Sequence, residues 1–96
     1  MRFNITFTSG ASRDLEHFRA FEQRIIVGAI KSHLLTEAGS QSRKRKPLRP
    51  NELATWELRI GAFRVFHDID GDDVKIIAVG VKAHNELYIR GKKVEL

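Results

Sequence analysis

Trp56-Glu57-Leu58-Arg59-Ile60-Gly61-Ala62-Phe63-Arg64-Val65-Phe66-His67-Asp68-Ile69 is the stretch on which the fold turns. Trp56, Leu58 and Ile60 alternate with Glu57 and Arg59, and Phe63, Val65, His67 and Ile69 recur at the same interval. A period of two is that of a strand with one buried face. Gly61-Ala62 is a two-residue connection with glycine first. That order suits a type II′ hairpin, because glycine takes a positive φ without steric cost. The register follows: Ile60 opposite Phe63, Arg59 opposite Arg64, Leu58 opposite Val65.

Downstream, Asp70-Gly71-Asp72-Asp73 turns the chain again, and Val74–Val81 carries apolar groups on both faces, as a central or doubly covered strand does. Upstream, residues 40–53 hold both prolines and the run Arg43-Lys44-Arg45-Lys46, and are expected to form a surface loop. Before it, Leu15, Phe18, Phe21, Ile25 and Ala29, with Ile26, Ile30 and Leu34, recur every three or four residues. They predict a long helix or a broken helical pair, capped by Ser12 and ended by Gly39. Ser9-Gly10 parts this region from a strand over residues 2–8, where Phe3, Ile5 and Phe7 alternate with polar residues. The expected fold is α+β: one domain over residues 1–96, with an N-terminal strand, a helical hairpin or long helix, and then a three-stranded antiparallel meander. The place of the first strand in the sheet is left open.

With 96 residues the chain is too short for two cores. It has no cysteine, which excludes disulfides and thiolate zinc sites and fits a reducing compartment. No apolar run approaches the roughly 20 residues of a membrane span, and Met1-Arg2-Phe3-Asn4 lacks the apolar core of a secretory signal. A soluble, cytoplasmic location without membrane contact is therefore expected. Lys and Arg number 17 against 12 Asp and Glu, a net charge of +5. The excess favours an anionic partner, either nucleic acid or an acidic protein segment.

Arg59 and Arg64, facing each other across the hairpin, are unfavourable neighbours by a few tenths of a kcal/mol up to ~1. Either a bound phosphate, matched by two guanidinium forks, or Glu57 on the same face would offset the repulsion. The basic run 43–46 is open to two readings, a set of phosphate contacts or a solvated loop. Asp68-Ile69-Asp70-Gly71-Asp72-Asp73 is not a calcium loop, since glycine stands fourth and Val79 takes the place of the twelfth-position glutamate. His17, His33, His67 and His84 have no metal-ligand spacing, and glycine placement offers no nucleotide fingerprint. No metal and no small-molecule cofactor is expected. His67 falls on the core face, whereas His84 follows the last expected strand among Lys82, Asn85 and Tyr88, where a histidine could act as general acid or base.

Taken together, Leu48-Arg49-Pro50-Asn51, Trp56–Phe66, the acidic turn 68–73, the Val-rich strand 74–81, Gly80 with Lys82, and Tyr88 resemble the second half of RelE/ParE toxins. The order of elements is similar along the whole chain. The resemblance implies the toxin of a type II toxin–antitoxin pair, with a cognate antitoxin and the ribosome with its mRNA as partners. It implies a metal-independent endoribonuclease that stops translation by cutting mRNA. Arg64 matches the arginine of the aromatic-Arg motif and would bind the scissile phosphate. Lys82 would assist it, Tyr88 would stack on a base or help proton transfer, and His84 stands where some members carry an acid–base residue. The expected RNA contacts are Arg43, Lys44, Arg45, Lys46, Arg49 and Arg59. Thr55 and Glu57 stand where RelE has basic residues. ParE-type members lack the nuclease set and act on DNA gyrase, so the resemblance also admits a gyrase inhibitor, or an inactive protein that joins an antitoxin as co-repressor.

Overall fold

The computed structural model describes residues 2–96. The hairpin anticipated from Gly61-Ala62 is present: β3 (Trp56–Ile60) and β4 (Phe63–Asp70) pair antiparallel with Ile60 opposite Phe63, Arg59 opposite Arg64 and Leu58 opposite Val65. Gly61 takes φ +58°, as the turn requires. A second two-residue turn, with Gly71 at φ +59°, leads into β5 (Asp73–Ala83). The meander does not stop there. β5 continues through His84-Asn85 into β6 (Glu86–Ile89), and Arg90-Gly91 leads into β7 (Lys92–Val94). Both connections have positive φ at both turn residues, the backbone of a type I′ hairpin.

The sheet has seven strands in the order β2-β3-β4-β5-β6-β7, and β1 (Asn4–Phe7) lies off this path, parallel to β5. β1 pairs with Asp73–Ile76, and β6 pairs with Val81–Ala83. The residues opposite β4 shift between Phe66 and His67, which face Ala78 and Ile76, so Ile77 is an extra residue in β5. This bulge lets one strand feed two cores. Val74, Ile76 and Val79 join Leu58 and Val65 against Ala11, Ile26, Ile30 and Leu34 of the helices. On the other face Ile77 and Ala78 pack with Phe66, Ala54, Leu87, Leu48, Leu53 and Val94. The two-sided apolar pattern of Val74–Val81 thus reports burial on both faces.

The helical region is a broken pair, α1 (Ser9–Glu16) and α2 (Ala20–Leu34). The expected cap and stop are displaced. Thr8 caps α1, its Oγ1 accepting from the Ala11 N–H at 3.1 Å, so Ser9 and Gly10 are helical and Ser12 lies inside the helix. Gly39 keeps a negative φ, because α2 has already ended at Leu34 and turns follow. The expected loop 40–53 contains a short edge strand, β2 (Arg45–Pro47), paired with β3. Arg45 is buried beneath it. It donates to the Ser40 carbonyl at 2.8 Å and to Glu37 Oε2 at 3.0 Å, and meets His33 Nδ1 at 3.2 Å. Arg45 is therefore a strut between β2 and the end of α2, not part of a solvated arm.

His67 is fully buried, with Trp56 stacked on it at 6.0 Å. Burial holds its pKa below the ordinary histidine value, with the Ala38 carbonyl at 3.4 Å opposing. It is a packed structural residue, as its place in the alternation predicts. Asp14 of α1, 2% exposed, accepts from the Val79 N–H at 3.0 Å and pairs with Arg90 at 2.7 Å, tying the helix to β5 and to the last hairpin. No helix among the described residues is long and apolar enough to cross a membrane.

Candidate functional site

The helices cover one face of the sheet, and Arg59, Arg64 and Lys82 among the expected functional residues lie on the other. Alternation from buried Leu58 and Val65 turns Glu57, Arg59 and Arg64 away from the helices. Lys82, opposite Leu87, lies on the same side, and the Lys82 N–H donates to the Ala62 carbonyl at 2.8 Å, which sets it beside the Gly61-Ala62 turn. Gly80 stands opposite Arg64. A Cβ at Gly80 would lie 2.6 Å from the Tyr88 carbonyl oxygen, so glycine is what lets β6 approach this close. β6, β7 and the C-terminal residues then border an open cleft of about 370 Å³, lined by Glu57, Lys82, Leu87, Lys93, Val94 and Glu95 among others.

The like-charge pair Arg59–Arg64 is resolved unequally. Arg59 Nε lies 2.8 Å from Glu57 Oε1, so that charge is met within the chain, and the carboxylate alternative weighed from the sequence holds for it. Arg64 has no carboxylate partner among the described residues. Its Nη1 donates to the carbonyls of Gly61 at 2.7 Å and Phe63 at 2.9 Å, which fix the guanidinium against the turn, and its Nε is buried without a partner. Burial lowers the Arg64 pKa from its ordinary value, with Glu57 acting against the shift and Arg59 with it. An arginine stays charged despite such a shift. A fixed, partly desolvated cation of this kind is suited to an anion.

The other expected residues separate. His84 stands exposed at the tip of the β5–β6 hairpin, two residues beyond Lys82 and not after the last strand. Tyr88 pairs with Val81 and so lies on the opposite face from Lys82, its hydroxyl donating to Glu86 Oε2 at 3.1 Å. Lys44 and Lys46 flank buried Arg45 at the β2 edge, Arg43 is exposed at the turn before it, and Arg49 is exposed after β2. Lys93, Val94 and Glu95 at the cleft were missed by the sequence reading. Asn85 and Gly91, turn residues around the alternating Leu87 and Ile89, are the signal that could have found the two hairpins carrying them. Asp68 is occupied by Thr55, accepting from its N–H at 2.7 Å and its hydroxyl at 2.9 Å.

The architecture is shared with known toxins. The solved toxin–antitoxin complex RelBE2 from Mycobacterium tuberculosis contains a chain similar to this one, with a TM-score of 0.74 and 27% identity, covering 85% of this chain and 100% of that one. No curated protein matches the sequence. The family model for the ParE toxin of the type II toxin–antitoxin system parDE matches residues 5–88, from β1 into β6. By that match, which runs through both helices and the cationic face, the chain belongs to the ParE toxin family of type II toxin–antitoxin systems.

Proposed function

We propose that this toxin arrests translation by cutting mRNA on the ribosome, and that a cognate antitoxin holds it inactive. The observation that carries the reading is the pair Arg64 and Lys82, two cations without carboxylate partners among the described residues, on one open sheet face, with Arg64 locked in place by the hairpin turn. RNA cleavage without a metal forms a bond from the 2′-oxygen to phosphorus and breaks the bond to the 5′-oxygen. One group takes the 2′-hydroxyl proton, another returns a proton to the leaving oxygen, and cations steady the charge that builds on the phosphorane. Arg64 and Lys82 supply the cations. His84, on the same hairpin as Lys82, supplies acid–base chemistry, and Glu57 at the cleft is a second proton acceptor held beside Arg59. The partner reading is supported by the RelBE2 structure, itself a toxin–antitoxin complex.

A second reading has its own support. Glu57 carries negative charge into the site where a nuclease gathers positive charge, and Tyr88 faces away from it. Both features suit a ParE-type toxin that inhibits DNA gyrase by binding, without chemistry. Induced expression with protein synthesis and DNA replication followed separately tests the proposal. Translation should stop first, with cut mRNA in the ribosomal fraction. Early arrest of replication with intact mRNA would reject the nuclease and support gyrase.

A further inference from the structure

The basic run 43–46 does not hang free of the site. Lys46 pairs with Glu57, and the Arg59 N–H donates to the Lys44 carbonyl at 2.8 Å, so the pairing of β2 with β3 continues outward to Lys44. Arg45 turns inward beneath the sheet, and alternation then places Lys44 and Lys46 on the face of Arg59 and Arg64. Cations consequently stand across four neighbouring strands: Lys46 on β2 with Lys44 just before it, Arg59 on β3, Arg64 on β4 and Lys82 on β5. Neighbouring strands lie about 4.8 Å apart, so the row spans roughly 14 Å. Among the described residues, Lys44, Lys46, Arg64 and Lys82 enter no ion pair, and only Arg59 is neutralised, by Glu57. Adjacent like charges work against the fold, and within the described residues this row has no counter-charge beyond Glu57. No exposed aromatic ring accompanies the row among the described residues. Phe66 is fully buried, Trp56 is stacked on His67 on the helix side, and Tyr88 lies on the helix side as well.

We propose that Lys46 of the edge strand and Lys44 just before it extend the Arg64–Lys82 site into a cation ladder across β2–β5 that grips several consecutive phosphates of single-stranded RNA without reading its bases. The inference rests on the RNA-directed reading above and adds the residues and the sequence indifference of the grip. RNA is favoured over an acidic peptide because the row is long and open, as a groove that tracks the regularly spaced phosphates of an extended strand is.

The test uses the full chain and fluorescein-labelled RNA decamers, one of uridines only and one of mixed sequence, with anisotropy read across a salt series. The parent should bind both equally. Lys44→Ser/Lys46→Ser should make the log–log salt slope shallower by about 1.4, at ~0.7 per lost phosphate contact on a single strand. Lys44→Gln/Lys46→Gln, which removes the charge but keeps a long polar side chain, should do the same, and thermal melts confirm folding of both. Arg43→Ser, at the turn outside the ladder, should change the slope less than either lysine alone. The proposal is overturned by an unchanged slope, by an equal loss at Arg43→Ser, or by a tenfold preference between the decamers. It is also overturned if the parent binds neither RNA, or if polyglutamate of equal charge displaces RNA as well as unlabelled RNA does. If the ladder fails here while the parent still cuts mRNA in cells, only this inference falls. If mRNA stays intact as well, the RNA-directed reading falls with it.

Discussion

Gly80→Ala is the smallest change that challenges the packing around the site. The new methyl carbon would lie 2.6 Å from the Tyr88 carbonyl oxygen, 3.0 Å from Ile89 Cγ1 and 3.2 Å from Leu87 Cδ1. The two side-chain ends can rotate aside, but the carbonyl cannot, because Tyr88 is held in the ladder opposite Val81. Ordinary contact begins near ~3.5 Å, so β6 must retreat by about 1 Å. Overpacking of this kind costs about 1–3 kcal/mol. At 4–8 °C per kcal/mol for a domain of this size, Tm should fall by roughly 4–24 °C. Gly28→Ala provides the opposite sign. It lies inside α2 with no atom within 4 Å of the new carbon, and should stabilise by about 0.5–1 kcal/mol. Thermal and urea melts of the three proteins decide the matter. A Gly80→Ala melt within ~2 °C of the parent would refute the argument that glycine is required for the close approach of β6.

Arg64→Ala should slow single-turnover cleavage of ribosome-bound mRNA about 10²–10³-fold, the scale of losing one charge stabiliser; cleavage at the parent's rate would remove Arg64 from the site. His84→Ala should cost about 10²–10⁴-fold in the same assay, the scale of one general acid or base. Asp14→Ala should cost about 2–3 kcal/mol in urea, since it strands the buried Val79 N–H and breaks the pair with Arg90. Acid should destabilise the fold through His67 and His33, whose folded pKa values burial holds below 6.5. In both, the unfolded chain binds the proton more readily, so their stabilising contribution is complete above pH 6.5 and is lost as pH falls through the lowered folded values. Urea midpoints at pH 7.5 and 5.5 should differ less in His67→Phe than in the parent.

The part of the fold legible in the sequence is the part fixed by neighbours along the chain. Gly61-Ala62 specifies a turn, the turn specifies a register, and the register puts Arg59 against Arg64. The same local logic misplaced the first helix start, because Ser12 and Thr8 are both competent caps and only packing against β5 chooses between them, through Thr8 Oγ1 bonded to the Ile77 carbonyl at 3.2 Å. β2 was hidden because Arg45 resembles its basic neighbours in sequence and differs from them only by meeting Glu37 and His33 across a distance in the chain. At the site, the side on which a residue projects was readable for Arg59 and Arg64 from alternation. For Tyr88 it depends on the hairpin at His84-Asn85, which only Asn85, a residue that tolerates positive φ, signals in the sequence.

The parallel seat of β1 beside β5 joins Asn4 to Asp73 across 69 positions, while the other strands meet through tight hairpins or short connections. Closing a loop of that length carries an entropic cost that the hairpins escape, and long-range pairing slows folding. The expected order of assembly is the β3–β4–β5 meander first and the N-terminal strand last, bringing Ile5 and Phe7 to the helix-side core. During synthesis β1 leaves the ribosome first yet waits for residues 73–76 before it has a partner. A nascent chain that stops before β5 lacks the strand with which β1, β4 and β6 all pair, so the cationic face, which includes Lys82, assembles only after β5 has been made.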